Sequence, residues 1–176
     1  MTKYIILLRG INVGGHRKIL MKDLKELLAQ KEFSEITTYI QSGNIICNSA
    51  KKNIKILESL VQESILEKFG HDVPVIIRTA KEWLKLVANN PYQERDIDEL
   101  YCAFLADTVD ASLLTELVPY ATKNEIYQLL DQQLYLAYPI KVHQSKLSNN
   151  IIEKKLNTTA TVRNWKTVLK LAELSK

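Results

Sequence analysis

The sequence has few of the features that mark disulfide-bonded or membrane proteins. Its two cysteines, Cys47 and Cys102, each lie in an apolar, strand-like run, which predicts buried thiols in a reducing compartment. No apolar run is long enough to cross a bilayer, and Arg9 ends the first run before it reaches the length of a signal-peptide core. We therefore expect a cytoplasmic protein with no membrane partner.

The sequence also lacks the common motifs of catalysis and metal binding. The three histidines, His16, His71 and His143, are far apart and have no paired ligand spacing, so we expect no metal site. There is no Gly-x-Ser-x-Gly element for a nucleophilic serine, and no Gly-Lys-Ser/Thr of a phosphate loop. The residues leave open whether the protein is an enzyme and which cofactor, if any, it uses.

Charge is spread along the chain and is only slightly unbalanced. There are 24 lysines and arginines against 20 acidic residues, a formal net charge of +4. The lysines alternate with acidic and amide residues in the helical segments, and no basic block stands out. A dedicated DNA-binding domain concentrates its positive charge on one face. We therefore do not expect a nucleic acid as partner.

What is present is a repeated pattern of strands and helices. In the first half, an uninterrupted apolar run predicts a buried strand, apolar residues at helical spacing predict helices, and a Ser-Gly turn joins two β-rich runs. The predicted elements are a strand at 4–8, a helix at 21–28, strands at 36–40 and 45–47, a helix at 54–69, a strand at 73–77 and a helix capped by Thr79 and Glu82. This order is typical of a ferredoxin-like α+β unit with an antiparallel sheet, followed by an extra helix.

The same order returns in the second half, after a polar linker at 93–98. The predicted elements are a strand at 101–106, a helix capped by Asp110 and closed by Pro119, strands at 125–130 and 133–138, a helix carrying Leu147, Ile151 and Ile152, a strand at 159–162 and a helix capped by Asn164. In addition, "RTAKEWLKLVA" from Arg78 aligns with "RNWKTVLKLAE" from Arg163. We infer an internal duplication, with units at 1–92 and 97–176 that pack into one compact structure.

Two polar, glycine-bearing loops are expected to meet at one end of the first sheet. They are "RGINVGGHRK" from Arg9 and "QSGN" from Gln41, and the βαββαβ order brings them together. Glycines permit sharp turns, backbone N–H groups ahead of a helix attract anions, and Arg9 offers a planar fork for phosphate or carboxylate. The predicted ligand-binding residues are Arg9, Asn12, Gly14, Gly15, Lys18, Ser42, Gly43 and Asn44.

These residues favour a site for a small anionic ligand, but three alternatives stay open. The loops can serve the fold alone, with Arg9 paired to Asp72. The protein can be an interaction or oligomerising module, its oligomeric state being unknown. Nucleic-acid binding ranks last, because RNA bases stack on exposed sheet aromatics, whereas "YIILL" and "IIC" indicate buried strands. The equivalent loops of the second unit, at 106–107 and 131–132, have neither glycine nor arginine, so these features are not generic to the repeat.

The motifs "RGINVGG", "TTYIQSGNIICNS" and "TVRNWKTVLKL" together resemble the bacterial family DUF1697, a domain of unknown function, over nearly the whole chain. The resemblance implies a duplicated α+β architecture in cytosolic bacterial proteins. It brings no activity, cofactor or catalytic residue with it. All eight predicted ligand-binding residues except Lys18 fall on its motif positions, and Lys18 stands where the family usually has a basic residue. The resemblance supports the fold and does not decide between a ligand site and a structural role.

Overall fold

The structure is a computed structural model that describes residues 1–139 and 141–176. The chain forms two compact units, and the second lies within the first in sequence. The first unit comprises Met1–Lys85 and Lys170–Lys176, and the second comprises Leu86–Leu169. The boundaries expected from the sequence, 1–92 and 97–176, follow the repeat and stay a prediction.

The first unit is an antiparallel four-stranded sheet with helices, in the expected order. Its strands are arranged β2-β3-β1-β4, and every neighbouring pair is antiparallel. The elements are β1 (Thr2–Leu8), α1 (Met21–Ala29), β2 (Ser34–Tyr39), β3 (Asn44–Ser49), α2 (Ile54–Phe69), β4 (Val75–Thr79) and α3 (Ala80–Ala88).

The second unit repeats this topology. Its sheet has the order β6-β7-β5-β8, again antiparallel throughout. The elements are β5 (Leu100–Leu105), β6 (Ile126–Leu130), β7 (Gln133–Ala137), α4 (Asn149–Leu156), β8 (Ala160–Asn164) and α5 (Trp165–Leu174), with 3₁₀ helices at Ile97–Glu99, Ala111–Tyr120 and Val142–Gln144. The duplicated ferredoxin-like α+β fold that the sequence predicts is thereby confirmed.

One predicted helix differs from expectation. The segment that Asp110 caps is a 3₁₀ helix instead of an α-helix, and Pro119 lies inside it instead of ending it. Asp110 still caps this segment, because its side chain accepts a hydrogen bond from the N–H of Ser112 (2.9 Å). Proline has no N–H to donate to the residue four positions earlier, so the end of this segment cannot continue as a regular α-helix. Leu147 also lies outside its predicted helix, since Ser148 is the N-cap of α4.

The caps of the two aligned helices confirm the sequence prediction. At the start of α3 the hydroxyl of Thr79 accepts from the N–H of Glu82 (3.1 Å), and the Glu82 carboxylate accepts from the N–H of Thr79 (2.8 Å). At the start of α5 the side chain of Asn164 accepts from the N–H of Thr167 (2.8 Å). These bonds satisfy backbone donors that the first helical turn leaves without partners.

β1 is buried on both faces, as its uninterrupted apolar run predicts. Tyr4, Ile6 and Leu8 join the core formed with α1 and α2, while Ile5 and Leu7, which point to the opposite face, are also buried. Cys47 and Cys102 are buried free thiols, as expected. The central strand therefore presents no open face for base stacking.

Each unit also contains a hydrogen bond from an N–H of the edge strand to a helix glutamate, which local sequence patterns do not reveal. In the first unit the carboxylate of Glu58 on α2 accepts from the N–H of Ile77 on β4 (3.0 Å). In the second, Glu153 on α4 accepts from the N–H of Ala160 on β8 (2.9 Å). Edge strands have backbone donors without a neighbouring strand, so these glutamates satisfy one such donor in each repeat.

Candidate functional site

The candidate site lies where three loops meet at one end of the first sheet. The N–H of Leu8 donates to the carbonyl of Gly43 (2.8 Å), which joins the end of β1 to the turn between β2 and β3. The N–H of Arg9 donates to the carbonyl of Pro74 (3.0 Å), which joins the same point to the entry of β4. The glycine loop and the hairpin turn are therefore neighbours, as the topology predicts.

Asn12 connects the two loops through its side chain. Its Nδ2 donates to the carbonyls of Ile19 (2.9 Å) and Gln41 (2.8 Å), and its Oδ1 accepts from the N–H of Ile19 (2.9 Å). Asn12 also has a left-handed backbone (φ 54°), which asparagine tolerates better than most residues. Both ends of its amide are used inside the protein, so Asn12 positions the loops.

Residues 12–17, which we call the glycine finger, form a small hairpin of their own. Val13 and His16 pair as an isolated antiparallel bridge, with the N–H of His16 donating to the carbonyl of Val13 (3.0 Å). Gly14 (φ 58°) and Gly15 (φ 78°) both have left-handed backbones, as the tip of a two-residue type I′ turn requires. Both glycines are exposed, so the finger offers the backbone of its tip to solvent.

Gly43 and Asn44 hold the second loop in place. Gly43 is buried with φ 77°, and a Cβ atom there would lie 2.6 Å from Cβ of Leu8 and 2.9 Å from Cδ1 of Ile11. The fully buried Asn44 donates through Nδ2 to the carbonyl of Tyr39 (3.1 Å) and to Oγ of Ser42 (2.9 Å). Close packing therefore requires a glycine at position 43, and Asn44 fixes the turn.

The remaining predicted site residues surround this junction on its solvent side. Arg9 and Ser42 are half-buried, and Lys18 is exposed. Asp72, expected near Arg9, accepts a hydrogen bond from Nε2 of Gln62 (2.7 Å). The structure thus joins the two loops that carry the eight predicted residues, and it gives Asn12, Gly43 and Asn44 internal roles there.

The glycine loop and the hairpin turn together carry positive charge, whereas the entry of β4 contributes the acidic Asp72. Residues 1–22 include three arginines and lysines within the loop itself, Arg9, Arg17 and Lys18, and contain no aspartate or glutamate. Residues 36–50, which include the hairpin turn, carry no charged side chain. Nη1 of Arg17 lies 3.5 Å from the carbonyl oxygen of Arg9, so its guanidinium is folded back onto the loop. A positive local potential attracts anions to the surface.

Sequence reasoning missed three exposed apolar side chains in the two joined loops, Val13, Leu20 and Ile40. Ile40 has a left-handed backbone (φ 50°), which is strained for a β-branched residue, and its side chain is half exposed. Val13 and Leu20 are also exposed, at 64% and 67%. Each of the three is next in sequence to a residue in the hydrogen bonds of the Asn12 side chain. Val13 follows Asn12, Leu20 follows Ile19, and Ile40 precedes Gln41. In the sequence, the β-branched Ile40 directly before the polar turn at 41–44 was the signal that could have indicated its strained, exposed position.

The two arginines that align between the repeats, Arg78 and Arg163, are buried within the fold. Nη1 of Arg78 donates to the carbonyl of Ile77 (2.8 Å), and Nη1 of Arg163 donates to the carbonyl of Val162 (2.9 Å) and to Oγ1 of Thr161 (2.7 Å). Burial lowers the pKa of Arg163 to about 10, so its guanidinium stays protonated at neutral pH. These contacts give both arginines a structural role within their units.

The described residues, 1–139 and 141–176, also bear on metal binding and on membrane-spanning helices. In that part, no three His, Cys, Asp or Glu side chains come together as a metal site would require. The helices found there are too short or too polar for any of them to span a membrane.

Comparisons with known proteins agree with this architecture. The model of the family described as "Protein of unknown function (DUF1697)" matches residues 1–135. A solved structure of a conserved bacterial protein from Streptococcus pneumoniae is similar with a TM-score of 0.77 and 22% sequence identity, covering 99% of each chain. At that identity the similarity establishes the fold alone. No curated protein matches the sequence.

Proposed function

Because the chain belongs to the DUF1697 family, whose function is unknown, its function has to come from its own site, and we propose that this site binds an anionic group. The group is a phosphate or carboxylate of a small molecule. It is held by the basic loop at 9–18 and the turn at 41–44.

The proposal rests on a comparison of the two repeats. Both units join the end of their first strand to the hairpin turn and to the last strand with the same pair of backbone hydrogen bonds. The bonds are Leu8 N to Gly43 O (2.8 Å) and Arg9 N to Pro74 O (3.0 Å) in the first unit, and Leu105 N to Gln132 O (3.0 Å) and Ala106 N to Thr159 O (2.9 Å) in the second. The second unit makes this junction without arginine or glycine. The fold can therefore be built without a basic glycine loop, which supports a binding role for this loop in the first unit.

The chemistry of the loop suits an anion. Arg9 and Lys18 supply positive charge, the hydroxyl of Ser42 lies in the adjoining turn, and the glycine tip exposes its backbone. A guanidinium binds a phosphate or carboxylate through two parallel hydrogen bonds, and a nearby lysine adds a point charge. The Asn12 bonds hold these groups in fixed relation before a ligand arrives, which reduces the entropy lost on binding.

Thermal unfolding in the presence of candidate anions tests the proposal. The probes are inorganic phosphate, pyrophosphate, a nucleoside monophosphate and citrate. Lys18→Gln removes a loop charge, and Lys22→Gln is its matched control, because Lys22 is 86% exposed on α1 with a weak partner in Glu26 (3.9 Å). We expect an anion to raise the Tm of the wild type and of Lys22→Gln, and to have a smaller effect on Lys18→Gln. If all three proteins respond equally, or none responds, the proposal is wrong.

Arg9→Gln separates binding from folding. We expect its Tm without ligand to stay close to that of the wild type and its response to the anion to be lost. A large drop of the Tm without ligand would instead assign Arg9 to the fold.

The exposed apolar side chains of Val13, Leu20 and Ile40 favour a second candidate function, which is docking of a partner protein. Ile40 keeps an energetically unfavourable backbone and an exposed apolar side chain, and such strain is typical of functional positions. Ile40→Asn tests this, because asparagine accepts the left-handed conformation. We expect the variant to have a higher Tm and to lose any self-association or partner capture that the wild type shows. A protein that stays monomeric at high concentration and captures no partner would argue against docking.

A further inference from the structure

The second unit contains a cavity that the candidate site does not involve. Its volume is about 280 Å³, close to the lower end of small-molecule sites. It is lined by the end of α3, the segment that follows, the start of β5 and one face of α5. The lining residues are Val87, Asn90, Gln93, Arg95, Ile97, Leu100, Trp165 and Leu169, and all of them belong to the second unit.

Most of the cavity wall is apolar, and the wall is held firmly. Trp165 is 5% exposed and packs against Tyr135 with 6.1 Å between ring centroids. The hydroxyl of Tyr135 donates to the carbonyl of Leu86 (2.8 Å), which fixes the end of α3 beside it. Ile97 and Leu169 are each 37% exposed and form part of the rim. Such a wall accepts a compact apolar body.

Asn90 is a buried polar residue of the cavity lining. Its side chain is 95% buried, and its Oδ1 accepts from the N–H of Tyr92 (2.9 Å), so the amide orientation is set and Nδ2 points the other way. Within the part of the chain that the structure describes, Nδ2 donates to no protein acceptor. It is also not one of the side-chain atoms that lack both a partner and contact with solvent. Nδ2 is therefore in contact with solvent, and Asn90 is one of the residues that line the cavity. A buried donor with no protein partner favours a ligand with an acceptor oxygen.

Arg95 supplies the one cationic side chain of the lining. Its Nη1 is 3.8 Å from Oε2 of Glu99, a loose ion pair that leaves most of its five N–H donors for other contacts. The neighbouring exposed residues Glu94, Asp96 and Asp98 make the surroundings negative, although Lys166 pairs with Asp98. This field disfavours a doubly charged phosphate more than a singly charged carboxylate.

From these observations we propose that the cavity binds a small monocarboxylate with a compact apolar or aromatic body. The apolar part lies against Trp165 and Leu169, and the carboxylate accepts hydrogen bonds from Nδ2 of Asn90 and from Arg95. This site is separate from the basic loop, and its occupancy does not depend on Arg9 or Lys18.

NMR titration with benzoate, benzamide and inorganic phosphate tests the proposal. The chain has two tryptophans, so the indole N–H signals of Trp165 and Trp83 report from the cavity and from outside it in one spectrum. Trp165→Phe identifies the two signals. We expect benzoate to shift the Trp165 signal in a saturable way, benzamide to bind about fivefold more weakly because it lacks the charge that Arg95 attracts, and phosphate not to bind.

Three variants make the test specific. Leu169→Phe narrows the cavity and should abolish the shift. Leu84→Phe is its matched control, because Leu84 occupies the aligned position of the other repeat, is 41% exposed and lies outside the cavity lining; it should bind as the wild type does. Asn90→Asp keeps the acceptor for Tyr92 but replaces the Nδ2 donor by an acceptor, so it should bind benzamide better than benzoate.

The proposal fails if benzoate gives no saturable shift, if the shift survives in Leu169→Phe, or if benzamide binds as tightly as benzoate to the wild type. If Asn90→Asp does not fold, the proposal is still tested by comparing benzoate binding to Leu169→Phe and to Leu84→Phe. A reversed preference in Asn90→Asp would establish the donor role, because a purely structural asparagine would not exchange one ligand for the other.

Discussion

Replacing Gly43 by alanine should destabilise the first unit far more than the same change at Gly70. Both glycines belong to this unit and have nearly the same left-handed backbone, φ 77° at Gly43 and φ 69° at Gly70. At Gly70, the C-cap of α2, an added Cβ meets no atom within 4 Å. At Gly43 it would lie 2.6 Å from Cβ of Leu8 and 2.9 Å from Cδ1 of Ile11. Comparing the two substitutions therefore separates the cost of backbone strain from the cost of steric overlap.

The expected free energies follow from these two terms. A left-handed alanine costs about 1 kcal/mol or somewhat more, and the smaller entropy of the unfolded alanine chain offsets about 0.5 kcal/mol. Gly70→Ala should therefore lower the free energy of unfolding by less than about 1 kcal/mol. Overpacking a rigid core adds about 1–3 kcal/mol, and Leu8 is fully buried at the end of the central strand. We expect about 2–4 kcal/mol for Gly43→Ala.

Denaturant unfolding followed by circular dichroism measures both variants, and a third protein tests the contact itself. Ile11→Val removes Cδ1, one of the two closest atoms, so Gly43→Ala should cost less in that background than in the wild type. Equal costs for Gly43→Ala and Gly70→Ala would show that Gly43 is required for its backbone angle alone. A cost of Gly43→Ala that is unchanged by Ile11→Val would exclude Ile11 from the overlap.

Four further substitutions and one pH dependence test other parts of the fold. Thr79→Ala and Asn164→Ala each remove a helix cap and should each lower the free energy of unfolding by about 1 kcal/mol in denaturant titrations; an unchanged midpoint would contradict the capping role. Glu58→Ala should cost about 1–3 kcal/mol and speed amide exchange of Ile77, whereas Glu58→Gln keeps an acceptor oxygen and should cost less. Burial raises the pKa of the Cys47 thiol from 9.0 to about 12, so between those values the unfolded chain loses the proton first and stability should fall as pH rises. Native protein should accordingly leave Cys47 unmodified by a thiol reagent at neutral pH, and rapid labelling there would refute its burial.

The sequence predicts those parts of the fold that depend on residues close together in the chain. Apolar runs and helical spacing predict the strands and most helices, because burial repeats with the period of the element. The cap at Thr79 is readable for the same reason, since its partner Glu82 is three residues away. The 3₁₀ helix at Ala111–Tyr120 is not, because its leucine spacing fits an α-helix and only the position of Pro119 argues against one.

The contacts that the sequence does not predict are those made between distant segments. The bond from Glu58 to the backbone of Ile77 depends on how α2 lies against β4, which no local pattern encodes. The same holds for Asn12: its residue type suggested a ligand contact, yet the structure uses its amide to join two loops. Polar side chains in loops bind backbone groups as readily as ligands, and the choice appears only once the loops are placed.

The duplication offers a way to separate structural from functional residues within one chain. The two repeats share a sheet order, a glutamate that contacts the edge strand, capped last helices and a backbone junction at the end of the first strand. Features present in both repeats are explained by the fold that both must adopt. The basic glycine loop occurs in the first repeat, and the second builds the same junction without it. Arg9 has no counterpart in the second repeat, so the comparison makes it a residue to test for function, whereas Arg78 and Arg163 are buried at matching positions of both repeats.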